Sequence, residues 1–209
     1  MPNWCNNTVE ISHKDPAMIQ RVREGFNKGA LLMELLPTPK ELLDTVAGFP
    51  GEDLREAHEA QEKSNLEKHG YRNWYDWNVA NWGTKWDIGA DGQPALEQDA
   101  NSLTLNFDSA WSPPTSAYEK LCALGFTILA YYYESGMCFA GKWEGNEDDY
   151  FDDYYELGGM NSDEVAATIP DDLDECFAIS EQMAQWEEEN AEEEDFDSER
   201  EGKIPPHTD

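Results

Sequence analysis

In TVEIS, apolar Val9 and Ile11 alternate with polar neighbours, the period of a strand with one buried face. Asp15 and Pro16 then read as a helix start, an N-cap acceptor followed by proline at the first helical position. Met18, Ile19, Val22 and Phe26 supply its apolar face, and the pattern stops near Gly29. LLMELLPTPKELL is apolar but broken by Pro37 and Pro39, which predicts a short element, a loop and a helical turn from Lys40. Residues 51–69 have helix-forming composition with few apolar anchors, the pattern of an exposed inserted helix.

Beyond the tryptophan-rich YRNWYDWNVANWGTKWD, WDIGA predicts a short strand, and Leu103, Leu105 and Phe107 alternate along a second one. SPPTSAYEKLCALG predicts a helix opened by prolines, with Ala117, Leu121 and Leu124 on one stripe and Gly125 as its stop. FTILAYYYES and MCFAGKW form two strands around Ser135-Gly136, a tight hairpin signal. The order strand, helix, strand, strand, helix, strand, with one extra hairpin strand, is the split βαβ order of a ferredoxin-like α+β sandwich. The expected organisation is a ferredoxin-like domain over residues 1–145 with a helical insert at about 51–82. An acidic aromatic segment and docked helix follow over 146–186, then an acidic, partly disordered tail over 187–209.

Charge sharpens this division. The net charge is −31; residues 1–143 hold 20 acidic and 12 basic side chains, residues 144–209 hold 25 and 2. Such a surface repels nucleic acid and anionic membranes, so neither is expected as a direct partner, whereas a basic protein surface is. No run of 18 apolar residues is present, so no membrane span is expected. The start, MPNWCNNTVEIS, lacks the basic and apolar regions of a secretion signal, and a cytoplasmic location is the expectation. Cys5, Cys122, Cys138 and Cys176 are scattered, with no CxxC and no histidine at ligand spacing, so they are expected reduced and mostly buried.

Within the acidic third, DDYFDDYYE at 148–156 carries Tyr150, Phe151, Tyr154 and Tyr155 at spacing that fits a helix, and equally an edge strand guarded by charge. In either case the aromatics are expected to face inward and the carboxylates outward. Pro170 and Asp171 predict a helix with a stripe of Leu173, Cys176, Phe177, Ser180, Met183 and Ala184 docked on the body. After Trp186 the stripe gives way to a charge run, a solvated helical extension that frays.

The residues offer little to an enzyme. The four histidines are far apart in sequence, HEAQE is not HExxH, and GxSxG, GxxxxGK and GxGxxG are absent. NEDDYFDD at 146–153 lacks the ligand spacing of a calcium loop. No catalytic group, cofactor or metal site is expected.

MPNWCNN, NWGTKWD, FDSAWSPP and YYESGMCFAGKW, in this order, resemble the YubB-like family of plasmid and phage proteins, and the resemblance covers roughly residues 1–145. It implies a ferredoxin-like fold and a mobile-element setting, and no activity.

Two candidate sites remain. In NVANWGTKWD, Trp74, Trp77, Trp82 and Trp86 read first as core, with Lys85 paired to Asp87 or Asp108. The alternative makes Asn81, Trp82, Lys85, Trp86 and Asp87 a pocket for a small ligand or peptide. The second candidate is the acidic surface, with Asp148, Asp149, Asp152, Asp153, Glu187, Glu188, Glu189, Glu192, Glu193 and Glu194 as partner contacts. Residues 171–201 hold 15 acidic side chains and one arginine. As a helix they would span roughly 45 Å, about one net charge per 3.2 Å, close to the roughly 3.4 Å per phosphate of a DNA strand. The expected function is therefore an inhibitor that blocks a nucleic-acid-binding host protein by charge mimicry, of the anti-restriction or anti-CRISPR type. The alternative is a small non-enzymatic adaptor or regulator that binds through the tryptophan region.

Overall fold

A computed structural model describes residues 3–89 and 94–201, and within them the side chains of all but Glu97 and residues 192–201. Chain order is β1 (Trp4–His13), α1 (Pro16–Asn27), α2 (Leu31–Leu35), α3 (Lys40–Leu43), α4 (Arg55–His69), α5 (Trp74–Trp82), β2 (Leu96–Asp99), β3 (Ser102–Ala110), α6 (Thr115–Ala123), β4 (Phe126–Glu134), β5 (Phe139–Gly145), β6 (Tyr150–Glu156), α7 (Ser162–Thr168), α8 (Asp171–Phe177) and α9 (Ile179–Glu201), with a 3₁₀ turn at Glu52–Leu54. Contacts divide it into two compact units, Met1–Tyr154 and Tyr155–Asp209.

In the first unit the strands lie in the order β2-β3-β1-β4-β5-β6, and β1 is antiparallel to both β3 and β4. With α1 after β1 and α6 between β3 and β4, β2-β3-β1-β4 is the ferredoxin-like sheet; β5 and β6 extend it beyond β4. The alternation of apolar residues explains the core. Cys5, Val9 and Ile11 of β1, Leu103 and Leu105 of β3, and Ile128 and Ala130 of β4 cluster with Ile19, Val22 and Phe26 of α1 and with Ala117 and Leu121 of α6. As expected, the Asp15 carboxylate accepts from the Ala17 amide at 2.9 Å, with Pro16 at the first helical position. Cys5 and Cys122 are buried, whereas Cys138 is exposed and Cys176 intermediate; burial pushes the Cys5 thiol up to about 12.

Three local readings change. WDIGA supplies no strand over its described residues Trp86–Gly89. The Asp87 carboxylate accepts from the amides of Leu32, Met33 and Ile88, at 2.7, 2.9 and 2.9 Å, and the Ile88 carbonyl accepts from Leu31. Groups that a ladder would need are thus spent on the start of α2. The second strand is LEQD, pairing with β3 across an irregularity between Glu97 and Asp99.

Residues 150–156 form an edge strand, so their side chains alternate. Tyr150 stacks on Trp143 at 5.5 Å, Tyr154 packs on Phe139 at 5.4 Å, and the Tyr132 hydroxyl donates to Asp152 at 2.7 Å. Asp152 therefore points back at the sheet and Phe151, 67% exposed, points away from it. The expected split into inward aromatics and outward carboxylates fails because a period of two distributes both types over both faces. Gly141, opposite Tyr132 in the register, makes the room: a Cβ there would lie 2.1 Å from the tyrosine oxygen.

The second unit is built from α7, α8 and α9. The single helix expected from Asp171 is two, because Ala178 adopts a left-handed backbone at φ 51°. The Ser180 amide and hydroxyl donate to Asp174 across that break. Asn161 and Glu164 form a capping box at the start of α7, and Val165, Leu173 and Ile179 are buried. Helix α9 runs past Trp186 to Glu201. Residues 202–209 of the expected tail lie outside the described residues.

Candidate functional site

Helix α5 is capped by the Asn73 side chain, which accepts from the Asp76 amide, and ends at Gly83 in the left-handed region. Gly83 and Thr84 fasten this end to the β3–α6 turn: the Ser112 hydroxyl donates to the Gly83 carbonyl at 2.7 Å, and Thr84 exchanges hydrogen bonds with Ala110. Trp82 is core, 2% exposed, its indole N–H donating to the Leu36 carbonyl at 2.9 Å and its ring edge-on to Trp77.

The five residues of the expected pocket do not converge. Trp82 points inward, the Asn81 side-chain amide donates to the Trp77 carbonyl, and Asp87 caps α2. Desolvation raises the Asp87 carboxyl above its ordinary range against the lowering effect of the three amides. Lys85 and Trp86 remain at the surface, Trp86 being 40% exposed rather than core. Lys85 is not paired to Asp87 or Asp108 as expected. Its ammonium lies 4.7 Å from the ring centroid of Trp86, 5.3 Å from Trp111 and 5.6 Å from Tyr75. Asp108 accepts instead from the Asn6 side chain at 2.6 Å.

What assembles here is a wall of three exposed indoles. Trp4 lies 5.9 Å from Trp86, and Trp86 stacks with Trp111 at 6.3 Å and 22°; Trp4 and Trp111 are 47% and 43% exposed. Sheet register brings them together, since Trp4 pairs with Ala110 and the Trp111 amide donates to the Asn3 carbonyl. Trp111 has φ 67°, a conformation that costs a bulky residue on the order of 1–3 kcal/mol and is held by its surroundings. Cavities of about 560 Å³ and about 360 Å³ flank the wall. One takes in Trp4, Trp86, Asp87 and Asp108, the other Trp74, Tyr75, Asp76, Lys85 and Trp111. Trp4, Tyr75 and Trp111 were missed as site residues. Their motifs were visible, but only register and a left-handed turn place them beside Lys85.

The acidic candidates also divide. Asp148, Asp149, Asp152 and Asp153 are all exposed on or before β6; Asp152 differs in accepting from the Tyr132 hydroxyl, and desolvation raises its carboxyl. In the second unit Glu188 and Glu189 are exposed. Glu187 is not a free surface charge: it accepts from the Ser162 amide and hydroxyl at 2.9 and 2.7 Å, tying α9 to the start of α7. Glu192, Glu193 and Glu194 lie on the described helix, but their side chains fall outside the described residues. Among the described residues no group of three or more His, Cys, Asp or Glu side chains is placed to hold a metal ion, and no helix is long and apolar enough to cross a membrane.

A family model described as the ferredoxin-like domain in Api92-like proteins matches residues 81–203. The crystal structure of a protein api92 from Yersinia pseudotuberculosis resembles this chain at 13% identity and a TM-score of 0.46, covering 76% of this chain and 99% of the other. No curated protein matches the chain.

Proposed function

We propose a function from the premise that the chain belongs to the family of Api92-like proteins with a ferredoxin-like domain. It is a non-enzymatic inhibitor that occupies the basic groove of a nucleic-acid-binding host protein by presenting carboxylates where that groove expects phosphates. In this reading the chain is an accessory protein of a phage or plasmid, YubB-like in the narrower sense, and acts in the host cytoplasm against a restriction or CRISPR-type defence.

The observation that carries the reading is α9. The helix is continuous from Ile179 to Glu201, and residues 188–201, beyond the tethered Glu187, hold nine acidic side chains and one arginine. At about 1.5 Å per residue the fourteen residues span about 21 Å, or about 2.6 Å per net charge. That lies between the roughly 3.4 Å per charge of one DNA strand and the roughly 1.7 Å of a duplex. A basic groove that closes on this helix releases its counterions as it would on DNA, and receives nothing to read or cut. The exposed Asp148, Asp149 and Asp153 add charge in the first unit. Unit Tyr155–Asp209 carries 19 acidic and two basic residues, so most of the unit's charged side chains have the sign the groove requires.

The test is competition. Host proteins captured on the immobilised chain are challenged with duplex DNA and with an uncharged polymer at equal mass. Displacement by DNA alone supports the reading; partners that resist DNA and elute with neither additive contradict it.

A further inference from the structure

The aromatic wall has no part in a role carried by the acidic helices, and its chemistry is different. Three rings face one ammonium at 4.7–5.6 Å, within the roughly 6 Å over which an aromatic face attracts a cation. Lys85 thus shows what the wall accepts, an organic cation. Lys85 is also the only basic residue between Arg72 and Lys120. Three adjacent indoles, each 40–47% exposed, form a patch of the kind that marks an interaction site. The flanking cavities add carboxylates at its rim: Asp76 beside Tyr75 and Trp111, and Asp108 beside Trp4 and Trp86, where Lys28 also contributes to the lining.

We propose that Trp4, Trp86, Trp111 and Tyr75 receive an arginine side chain of a basic protein partner, with Lys85 as a built-in competitor that yields to it. Charge complementarity names the guest, because aromatic faces with a carboxylate rim on a chain of net charge −31 attract cations. Arginine is favoured over lysine because its guanidinium is planar, weakly hydrated and stacks on indole, and it can engage a rim carboxylate in two parallel hydrogen bonds. The displaced Lys85 ammonium, compact and strongly hydrated on a flexible stem, returns to water. The inference shares with the proposed function only the premise of a basic partner; its residues are separate from α9.

The experiment titrates the whole protein with tri-arginine and tri-lysine peptides and follows the indole N–H resonances of Trp4, Trp86 and Trp111. The peptides carry equal charge, so the acidic surface attracts both, and the part of their ratio that is lost on substituting the indoles reports the wall. Tri-arginine is expected to bind about three- to tenfold tighter. Trp86→Leu and Trp111→Asn should erase that preference, asparagine being chosen because it tolerates the left-handed backbone. Lys85→Met should tighten tri-arginine severalfold. Equal affinity of the two peptides, or weaker binding by Lys85→Met, overturns the proposal, the latter by marking an anion site. Glutamines at Glu188 and Glu189 weaken both peptides without changing the ratio, so failure of the acidic-helix reading leaves this result distinct.

Discussion

Replacing Trp82 with alanine removes one of the two fully buried tryptophans of the first unit, Trp143 being the other, and the local contacts set the size of the effect. The indole is 2% exposed, packs edge-on against Trp77 at 5.8 Å, and donates to the Leu36 carbonyl at 2.9 Å. Truncating a buried tryptophan costs about 3–5 kcal/mol in lost transfer energy and residual cavity, and the orphaned Leu36 carbonyl adds about 1 kcal/mol. Against a total stability of about 5–15 kcal/mol, much of the folding energy is at stake. Urea unfolding followed by far-ultraviolet circular dichroism measures it, and with a slope of about 2 kcal/mol/M the midpoint should fall by about 2 M. Trp86→Ala is the internal control: the ring is 40% exposed and its loss should cost about 1 kcal/mol or less. A Trp82→Ala midpoint within 0.5 M (about 1 kcal/mol) of the parent, or a larger loss from Trp86→Ala, would refute the division of the tryptophans into core and surface.

Gly141→Ala should destabilise by several kcal/mol or displace Tyr132, because the new Cβ would meet its hydroxyl at 2.1 Å; a melting temperature equal to the parent's would contradict the contact. Glu187→Gln should cost about 1–2 kcal/mol through its bonds to Ser162, whereas Glu188→Gln should be neutral, both read by thermal melting. Asp87→Asn should destabilise by about 1–3 kcal/mol, because an amide nitrogen would face one of three backbone donors. The folded Asp87 carboxyl is raised above its unfolded value, so its protonated form is favoured by folding. Its contribution to stability is thus fully present below the unfolded value and is lost as pH rises through the raised one. The stability gap between parent and Asp87→Asn should widen as pH falls from 7 toward about 4; a gap that narrows would reverse the assignment.

Elements whose burial follows a clean period were legible in the sequence. In β1, Cys5, Asn7, Val9 and Ile11 are buried at every second position, all apolar but Asn7, and Ile19, Val22 and Phe26 mark one side of α1. LEQD was not legible as β2, because it has one apolar residue and that residue, Leu96, is exposed. Helix α7 buries only Val165, too little for periodicity, although the Asn161–Glu164 capping pair was there to read. The acidic aromatic stretch could not be resolved by pattern because its tyrosines sit at spacings common to both periods. At the site, the sequence pointed to NVANWGTKWD but not to the partners of Lys85. Trp4 and Trp111 join it through the pairing of β1 with β3 and through a left-handed residue, relations set by tertiary structure.

Glu188, Glu189, Glu192, Glu193 and Glu194, replaced together by glutamine with Glu187 kept for its structural bonds, provide the most direct test of charge mimicry. Affinity for the DNA-displaceable partner is measured at two salt concentrations for parent and variant. The account predicts weaker binding at low salt and a shallower dependence on salt, by about 0.7–0.9 in the log–log slope for each carboxylate seated in the groove. Unchanged affinity and slope would contradict it.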